Sequence, residues 1–303
     1  MPATLAHLGA QALVTRAFVR GAPLLWIYLG CVLPDLPWIL QRAIRALVPG
    51  IDPAMLRLYV ASQASLLGCL ALAVAVAAIA RAPRRVFALL ASGALLHLLL
   101  DAVEVKWPNG VLLLAPFDWT PLQLGWVLPE SVAGLAWTLF GAVWVAWYWR
   151  QAAAEDPGIS RQRRRWLAAL ALAALWLALP LAMMRSAWRA DAHFVRTLGE
   201  VEERPGRAVE LYRAHAYDRP DGDVVETLED EVLRLEGLEI LGRQRVSIRG
   251  RFVDRETIRV EEALVHPGGW RDGASYAGLA AVALLWGRGG WRAWRRRGGA
   301  EGE

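Results

Sequence analysis

The chain is poor in the residues that build disulfide frameworks and thiolate metal sites. Its 303 residues include only two cysteines, Cys31 and Cys69, and both lie in apolar runs. Two separated cysteines cannot form such a framework, so we interpret both as small buried hydrophobic side chains. No basic stretch precedes the first apolar run, and we therefore expect no cleavable signal peptide.

Lysine is almost absent as well. Lys106 is the only lysine, so arginine carries nearly all of the positive charge behind the net charge of +5. Hydrophobic residues make up 56% of the chain and the mean hydropathy is positive, which is too apolar for an ordinary soluble protein of this length. In a membrane protein an arginine excess reports topology, and we expect no nucleic-acid partner.

Long apolar segments dominate residues 1–188 and indicate an α-helical integral membrane protein. The segments long enough to cross a bilayer, or nearly so, are 3–19, 23–41, 57–80, 86–103, 128–149, 166–184 and 275–286. We therefore expect about six to seven transmembrane helices. Residues 1–188 would form a helical membrane domain, and residues 273–303 a final helix with a basic cytoplasmic tail.

Residues 189–272 differ from the rest of the chain because they are polar and hold no apolar segment of spanning length. Stretches such as 208–213 and 245–250 alternate apolar and polar residues, and turn signals such as 220–222 separate them. This pattern predicts a small antiparallel β domain. The stretch 245–260 is weakly similar to an OB-type barrel.

Three arginine clusters predict the orientation in the membrane. They lie at 81–85, 150–165 and 288–297, and clusters of this kind stay on the cytoplasmic side. The resulting topology is that of a multi-pass bacterial inner-membrane protein with an outer N-terminus. The β domain and the tryptophan-containing loop 104–125 would both be extracytoplasmic.

Four polar residues in apolar surroundings suggest a metal site. His97 and Asp101 are four residues apart and share one helix face, Asp35 lies between two prolines, and His7 lies near the chain start. Two imidazoles and two carboxylates can bind a divalent metal ion, with Zn²⁺ favoured, and leave a position for water. Each residue could instead satisfy hydrogen bonds locally, which is the structural alternative.

Glu130 is the candidate catalytic base. It follows Pro129 at the start of an apolar helix that begins at the same predicted membrane boundary as Asp101. Asp101 could serve as the base instead if it ligates the metal weakly. A carboxylate in a first helical turn is also favoured by the helix dipole alone, so a structural role of Glu130 is open. The remaining histidines, His193, His215 and His266, lie in polar sequence and are expected to be solvated.

The order of these motifs resembles a known family. His7, the stretch 33–37 (Leu-Pro-Asp-Leu-Pro), the stretch 95–101 (Leu-Leu-His-Leu-Leu-Leu-Asp) and the stretch 110–117 together resemble bacterial membrane-bound metal-dependent hydrolases, which include a LexA-regulated inner-membrane member. The resemblance covers about residues 3–120 and implies a hydrolase with metal ligands at His7, Asp35, His97 and Asp101.

One element of that family pattern is missing. The family carries a His-Arg…His-Ser element between the Pro-Asp and His-x-x-x-Asp motifs, whereas residues 57–66 hold no histidine. The chain is therefore interpreted as a divergent member. The β domain is not part of the resemblance.

Three functions are compatible with the sequence. The first is a membrane-embedded metal-dependent hydrolase that acts on a lipid-linked or membrane-proximal ester, with a membrane lipid or lipid-linked substrate as its partner. The second is a non-catalytic membrane protein whose polar cluster is structural and whose β domain binds a protein partner. The third is a small transporter with Asp35, His97 and Asp101 as an ion path, which the lack of an inverted repeat disfavours.

Overall fold

The structure, a computed structural model, describes residues 3–220, 222–227 and 230–298. Within these ranges the chain is mostly helical, with a small β-barrel inserted before the last helix. The helices are α1 (Thr4–Phe18), α2 (Leu24–Val32), α3 (Leu36–Leu47), α4 (Pro53–Gln63), α5 (Leu66–Ala78), α6 (Pro83–Val103), α7 (Val132–Ala154), α8 (Arg163–Arg189), α9 (Val195–Gly199) and α10 (Trp270–Gly298). The strands are β1 (Ala208–Tyr217), β2 (Val224–Glu226), β3 (Val232–Glu236), β4 (Arg243–Phe252) and β5 (Thr257–Val265).

Four helical segments are long and apolar enough to cross a membrane. They are Leu24–Leu47, which contains α2 and α3, Pro83–Val103, Val132–Ala154 and Arg163–Arg189. The bent pair α4–α5 raises the number to five if it is one broken span. The higher count of six to seven stays a prediction.

The segment 57–80, expected to be one continuous span, is two helices. The axes of α4 and α5 differ by 68°. Ser65 explains the break, because its hydroxyl donates to the Ser62 carbonyl at 2.7 Å and accepts from the Gly68 amide at 3.2 Å. A serine in this position caps a new helix, so the first helix ends before it.

Asp35 lies in a short 3₁₀ turn, Leu33–Asp35, between α2 and α3. The two flanking prolines predict a kink or a break here, and the structure shows a change to 3₁₀ geometry while Leu24–Leu47 stays one helical segment. Pro34 and Pro37 favour this local change, because they lack the amide hydrogens that a regular α-helix needs. The 3₁₀ turn places the Asp35 carboxyl group in the interior, where its side chain is 3% exposed.

Three helices that carry polar residues pack on one another: α1, α2 and α6. Two glycines permit the closest approach. A Cβ atom on Gly30 of α2 would lie 3.2 Å from the Leu90 Cα atom, and one on Gly93 of α6 would lie 3.1 Å from the Gly30 backbone. The absent side chains bring the α2 and α6 backbones together directly before Cys31 on α2 and one turn before His97 on α6.

The three arginine clusters meet at one end of the helical bundle. Arg81 lies 3.3 Å from Asp156, Arg165 donates to the carbonyl group just before Arg81, and Arg292 donates to the Ala153 carbonyl. The barrel follows the opposite end of α8. The bundle therefore has one arginine-rich end and one end next to the barrel.

The β domain is a closed five-stranded barrel with the strand order β1–β2–β3–β5–β4. Four of its strand pairs are antiparallel, but β3 and β5 are parallel, with Leu235 opposite Ile258. The expectation of a purely antiparallel domain is therefore wrong. Buried apolar residues from all five strands fill the interior, and a five-stranded closed barrel agrees with the OB-type similarity of the sequence.

Candidate metal centre

The structure brings His7, Asp35, His97 and Asp101 together where α1, α2 and α6 meet. His7 Nε2 lies 3.3 Å from Asp101 Oδ1, and His97 Nε2 lies 3.4 Å from Asp35 Oδ1 and 3.7 Å from Asp101 Oδ2. The two imidazole rings stack with their centroids 4.1 Å apart. The histidines and Asp35 are buried, whereas the Asp101 side chain is 14% exposed. Asp101 is thus the member of the group nearest to solvent.

Taken pair by pair, these separations are those of two ligands of one ion. Two ligands of a tetrahedral Zn²⁺ ion, each about 2.1 Å from the metal, lie about 3.4 Å apart. The nitrogen-to-oxygen distances in the cluster are 3.3, 3.4 and 3.7 Å. Hydrogen bonds of ordinary strength are shorter than most of these distances.

The imidazole nitrogens also fit metal ligands. In the part of the chain that the structure describes, both ring nitrogens of His7 and of His97 are buried and lack a hydrogen bond of acceptable geometry. Buried polar atoms in this state are rare, and an ion is one of the few explanations for them. Neutral imidazole nitrogens are good ligands for borderline divalent metals.

Gln11, one turn after His7 on α1, holds the cluster in register. With its amide oriented to satisfy hydrogen bonding, it donates to the Gly93 carbonyl at 3.1 Å and accepts from the His97 amide at 3.3 Å. Gln11 is fully buried. It therefore fixes the position of α1 relative to the part of α6 that carries His97.

Cys31 belongs to this centre, which corrects its interpretation as an ordinary apolar side chain. One ligand atom from each of His7, Cys31 and His97 lies within 4.8 Å of the others, and all three residues are buried. This group could hold a metal ion. The spacing contained the signal, because Cys31 precedes Asp35 by four residues just as His97 precedes Asp101.

Lys106, the only lysine, also reaches the centre. Its Nζ atom lies 2.6 Å from Asp101 Oδ1 and 3.5 Å from Glu104 Oε2, and its side chain is 3% exposed. A buried ammonium group needs such partners, because an unpaired charge in the interior is costly. Lys106 therefore adds a fixed positive charge beside the most exposed carboxylate.

Glu130 lies in a different polar group. Its carboxylate pairs with Arg213, lies 3.2 Å from His266 Nδ1 and lies 3.8 Å from Arg271 Nη1. Burial opposes ionisation, but the hydrogen bond with His266 and the charges of Arg271 and Arg213 outweigh it and lower the pKa of Glu130 to about 2. These contacts tie Glu130 to the barrel and to the start of α10, and none of them is to His7, Asp35, His97 or Asp101, so the described contacts of Glu130 disfavour the predicted role as base.

This second group joins the barrel to the helical domain. A bulge in β1 between Leu211 and Ala214 turns Arg213, at φ 50°, towards Glu130. Nearby, the guanidinium group of Arg249 lies 4.6 Å from the Trp107 ring centroid. Strands β1 and β4 therefore lie against the loop that follows Asp101.

Two of the histidines that were expected to be solvated are buried. His193 is 6% exposed and His266 is 8% exposed, and only His215 is partly accessible. Burial and the charge of Arg57 lower the pKa of His193 to about 3, against the opposing effect of a hydrogen bond to the Pro108 backbone. The polar sequence around these histidines does not predict their burial, because the side chains that cover them come from residues distant in the chain.

The chain was compared with known proteins. No protein-family model, no curated protein and no solved structure matches it. The metal ligands and the chemistry of this centre are therefore argued from its own geometry.

The two cysteines provide a matched test of the metal centre. We expect Cys31→Ser to lower Zn²⁺ affinity at least tenfold, because a soft thiolate ligand is lost. Cys69→Ser should leave affinity unchanged, since the thiol of this equally buried residue lies 3.7 Å from the Ala64 carbonyl, outside the cluster. Metal content after dialysis and the thiolate-to-metal charge-transfer absorption of the Co²⁺ form measure the effect. Equal metal retention in both variants would remove Cys31 from the ligand set.

The Glu130 contacts predict a pH-dependent stability. We expect Glu130→Gln to lower the free energy of unfolding by about 3 kcal/mol near neutral pH, because it leaves buried cations without their partner. The folded-state pKa of about 2 lies below the unfolded value of about 4.3, so the carboxylate stabilises the protein above about pH 4 and this contribution is lost as the pH falls towards 2. The deficit of the variant should therefore shrink in acid.

Thermal unfolding of the full chain at several pH values checks this expectation. Glu261→Gln is the control, because Glu261 pairs with Arg251 at 3.3 Å and both side chains are at least half exposed. Its effect should be small at every pH. A Glu130→Gln deficit equal to that of Glu261→Gln would contradict a joining role for Glu130.

Proposed function

We propose that this chain is a membrane-embedded metal-dependent hydrolase that acts on a lipid-linked or membrane-proximal ester. The observation that carries the proposal is the cluster of two buried imidazoles, each lacking a good hydrogen bond, beside two carboxylates at 3.3–3.7 Å. His7, Cys31, His97 and Asp35 would hold the ion. The mixed nitrogen, sulfur and oxygen donor set favours Zn²⁺ among the common divalent ions.

The side chains around the centre suit hydrolysis. A Zn²⁺ ion held by these residues would supply a coordinated water with a pKa of about 7 and would polarise the ester carbonyl group. Asp101 is the group placed to accept the proton of the attacking water, because it lies beside both histidines and is the most exposed carboxylate of the cluster. It takes the role that the sequence suggested for Glu130. Lys106, 2.6 Å from Asp101, keeps this carboxylate oriented and balances its charge.

The substrate class follows from the surface near Asp101. The loop between α6 and α7 exposes large apolar side chains, with Phe117 94% exposed and Trp126 74% exposed. Exposed aromatic side chains next to apolar helices are typical of a membrane–water interface. An ester carried by a membrane lipid or a lipid-linked molecule would approach along this loop, whereas a soluble ester would be a poor substrate.

For the location we propose the bacterial inner membrane, with the barrel on the extracytoplasmic side. The support is the shared position of the three arginine clusters at one end of the bundle, since such clusters stay in the cytoplasm. Asp101 and the barrel lie towards the other end of α6 and α7.

Reporter fusions test this topology. A periplasmic alkaline phosphatase fused after Gly222 should be active, and a cytoplasmic fluorescent reporter fused after Arg288 should fluoresce. A phosphatase that is inactive at Gly222, together with a fluorescent reporter that is bright there, would reverse the proposed orientation.

The non-catalytic alternative has one specific observation in its favour. Lys106 pairs with Asp101, and His97 lies near both Asp101 and Asp35, so a protonated His97 would give the cluster a nearly balanced charge with no ion. In this reading the polar cluster holds α1, α2 and α6 together, and the barrel binds a protein partner. Metal content separates the two functions.

Purified variants test the hydrolase proposal. His97→Ala should lose both the metal and hydrolysis of a lipid-ester panel, because it removes a ligand. Asp101→Asn should retain most of the metal and lose hydrolysis by at least about a hundredfold, the usual contribution of general base catalysis. His215→Ala, on the partly exposed face of β1, is the control and should be unchanged.

Two outcomes would contradict the proposal. A wild-type protein that holds no stoichiometric metal after gentle purification would end the enzymatic proposal and favour the structural alternative. Full activity of Asp101→Asn would remove Asp101 as the base, and loss of activity in a stable Glu130→Gln variant would return that role to Glu130.

A further inference from the structure

A second cluster of polar and aromatic side chains lies apart from the metal centre. It contains Trp38 of α3, Arg57 of α4, Asn109 of the loop after α6, and His193 of the turn before α9. Arg57 Nη2 donates to Asn109 Oδ1, and the Arg57 guanidinium group lies 4.8 Å from the Trp38 ring centroid. His193 Nδ1 lies 3.2 Å from the same Asn109 oxygen.

Arg57, which is half-buried, differs from Arg204 and Arg213 because it has no acidic partner among the described residues. Arg204 pairs with Glu231 at 2.7 Å and Arg213 pairs with Glu130, whereas no carboxylate in the described ranges lies within 4.0 Å of the Arg57 guanidinium group. A guanidinium group removed from water normally has an anionic partner, since desolvation of an isolated charge is costly. The described residues therefore leave the position of an anion beside Arg57 open for a ligand.

The cluster offers hydrogen-bond donors and little competing charge. Among the described residues, Nη2 is the one nitrogen of Arg57 that donates to a protein acceptor, which leaves its Nη1 and Nε donors for a ligand. The side-chain oxygen of Asn109 is the hydrogen-bond partner of both Arg57 and His193, and the amide nitrogen of Asn109 therefore remains as a further donor for a ligand. His193, with a pKa of about 3, is neutral at physiological pH and adds no charge. The guanidinium group of Arg57 lies over the ring of Trp38, and this contact fixes its orientation. A guanidinium group with a fixed orientation is suited to bidentate binding of a phosphate group.

The location identifies the anion. Asn109 belongs to the same loop as Leu114, Phe117 and Trp126, whose side chains are 59%, 94% and 74% exposed. A loop with such side chains lies at the level of lipid headgroups, where phosphate is the abundant anion. A zwitterionic headgroup also carries an ammonium group, which needs a carboxylate partner, and none of the described carboxylates lies beside Arg57. Anionic headgroups are therefore favoured over phosphatidylethanolamine.

We propose that Trp38, Arg57 and Asn109 form a binding site for the phosphate group of an anionic phospholipid. The guanidinium group and the Asn109 amide bind the phosphate oxygens, while the Trp38 ring orients Arg57. The site goes beyond the proposed hydrolase activity and requires no metal at the His7–His97 centre. Its loss would leave metal content unchanged.

Measurements on the wild-type full chain test the site first. In neutral detergent, phosphatidylglycerol should raise the thermal unfolding temperature more than phosphatidylethanolamine does, and native mass spectrometry should detect the bound lipid. Inorganic phosphate, compared with chloride, forms the second arm. Competition of phosphate with phosphatidylglycerol supports the same site with free phosphate as its source. If neither phosphatidylglycerol nor phosphate changes the unfolding temperature, the proposal is overturned.

Variants assign the binding to these residues. Arg57→Gln should weaken phosphatidylglycerol binding at least tenfold, since a charge-assisted bidentate contact is lost. Arg42→Gln is the matched control, because Arg42 is an exposed arginine of α3 that donates to Tyr276 at 2.9 Å. Equal lipid binding in the two variants would overturn the assignment.

Asn109→Asp keeps the test decisive if Arg57→Gln does not fold. This isosteric change places a carboxylate beside Arg57 and supplies internally the anion that the site lacks. We expect the variant to unfold at a higher temperature than wild type without lipid and to lose at least nine-tenths of its phosphatidylglycerol binding. Retention of wild-type lipid binding in Asn109→Asp would overturn the proposal.

Discussion

The arrangement of the helical domain depends on the cost of placing titratable groups in its interior. His7, Asp35 and His97 are buried with little or no water contact, and each would destabilise the fold if it stood alone. The groups come from α1, the 3₁₀ turn between α2 and α3, and α6, so only the packing of these helices on one another brings them together. Gly30, Gly93 and the Gln11 amide hold that packing in one register. The packing of these helices therefore both stabilises the bundle and sets the distances between the polar groups of the centre.

The same cost of a buried, unpaired charge explains how the barrel is joined to the helical bundle. Glu130 stands just before α7, and the barrel supplies Arg213 and His266 to it. The bulge in β1 is what turns Arg213 out of the strand register towards this carboxylate. Strands β1 and β4 thereby lie against the loop that follows Asp101, the most exposed residue of the candidate metal centre.

Arg57 illustrates the opposite case, a charge whose partner the described chain does not contain. Arg204 and Arg213 are paired within the protein, and their contacts serve the fold. Arg57 is held by an amide and a tryptophan ring, which orient a guanidinium group without neutralising it. Asn109 lies in the loop that follows α6, eight residues after Asp101 of the candidate metal centre. An anionic group bound at Arg57 would therefore be attached near the end of α6 that carries the proposed reaction.

The local patterns of the chain determined much of this description. Apolar length predicted the apolar helices, the prolines around Asp35 predicted a helical irregularity there, and the alternation within 208–265 predicted the β domain. The four-residue spacing of His97 and Asp101 placed both side chains on one helix face. These features depend on residues close in sequence, where hydrophobic periodicity and proline chemistry act directly. The candidate ligands His7, Asp35, His97 and Asp101 were identified for the same reason, because a polar group in an apolar segment is unusual in any fold.

Only the tertiary structure decided which distant residues meet. In the structure, Cys31 lies beside His7 and His97, and Glu130 pairs with an arginine of the barrel. His193 and His266 are buried, the segment 57–80 is divided between two helices, and β3 pairs with β5 in parallel. The sequence around a cysteine in an apolar run does not show whether a leucine or a histidine of another helix will lie next to it. A glutamate at a helix start likewise shows no sign of the arginine 83 residues later that neutralises it. Charge pairing and coordination depend on distances in space, and those are set by the packing of whole elements.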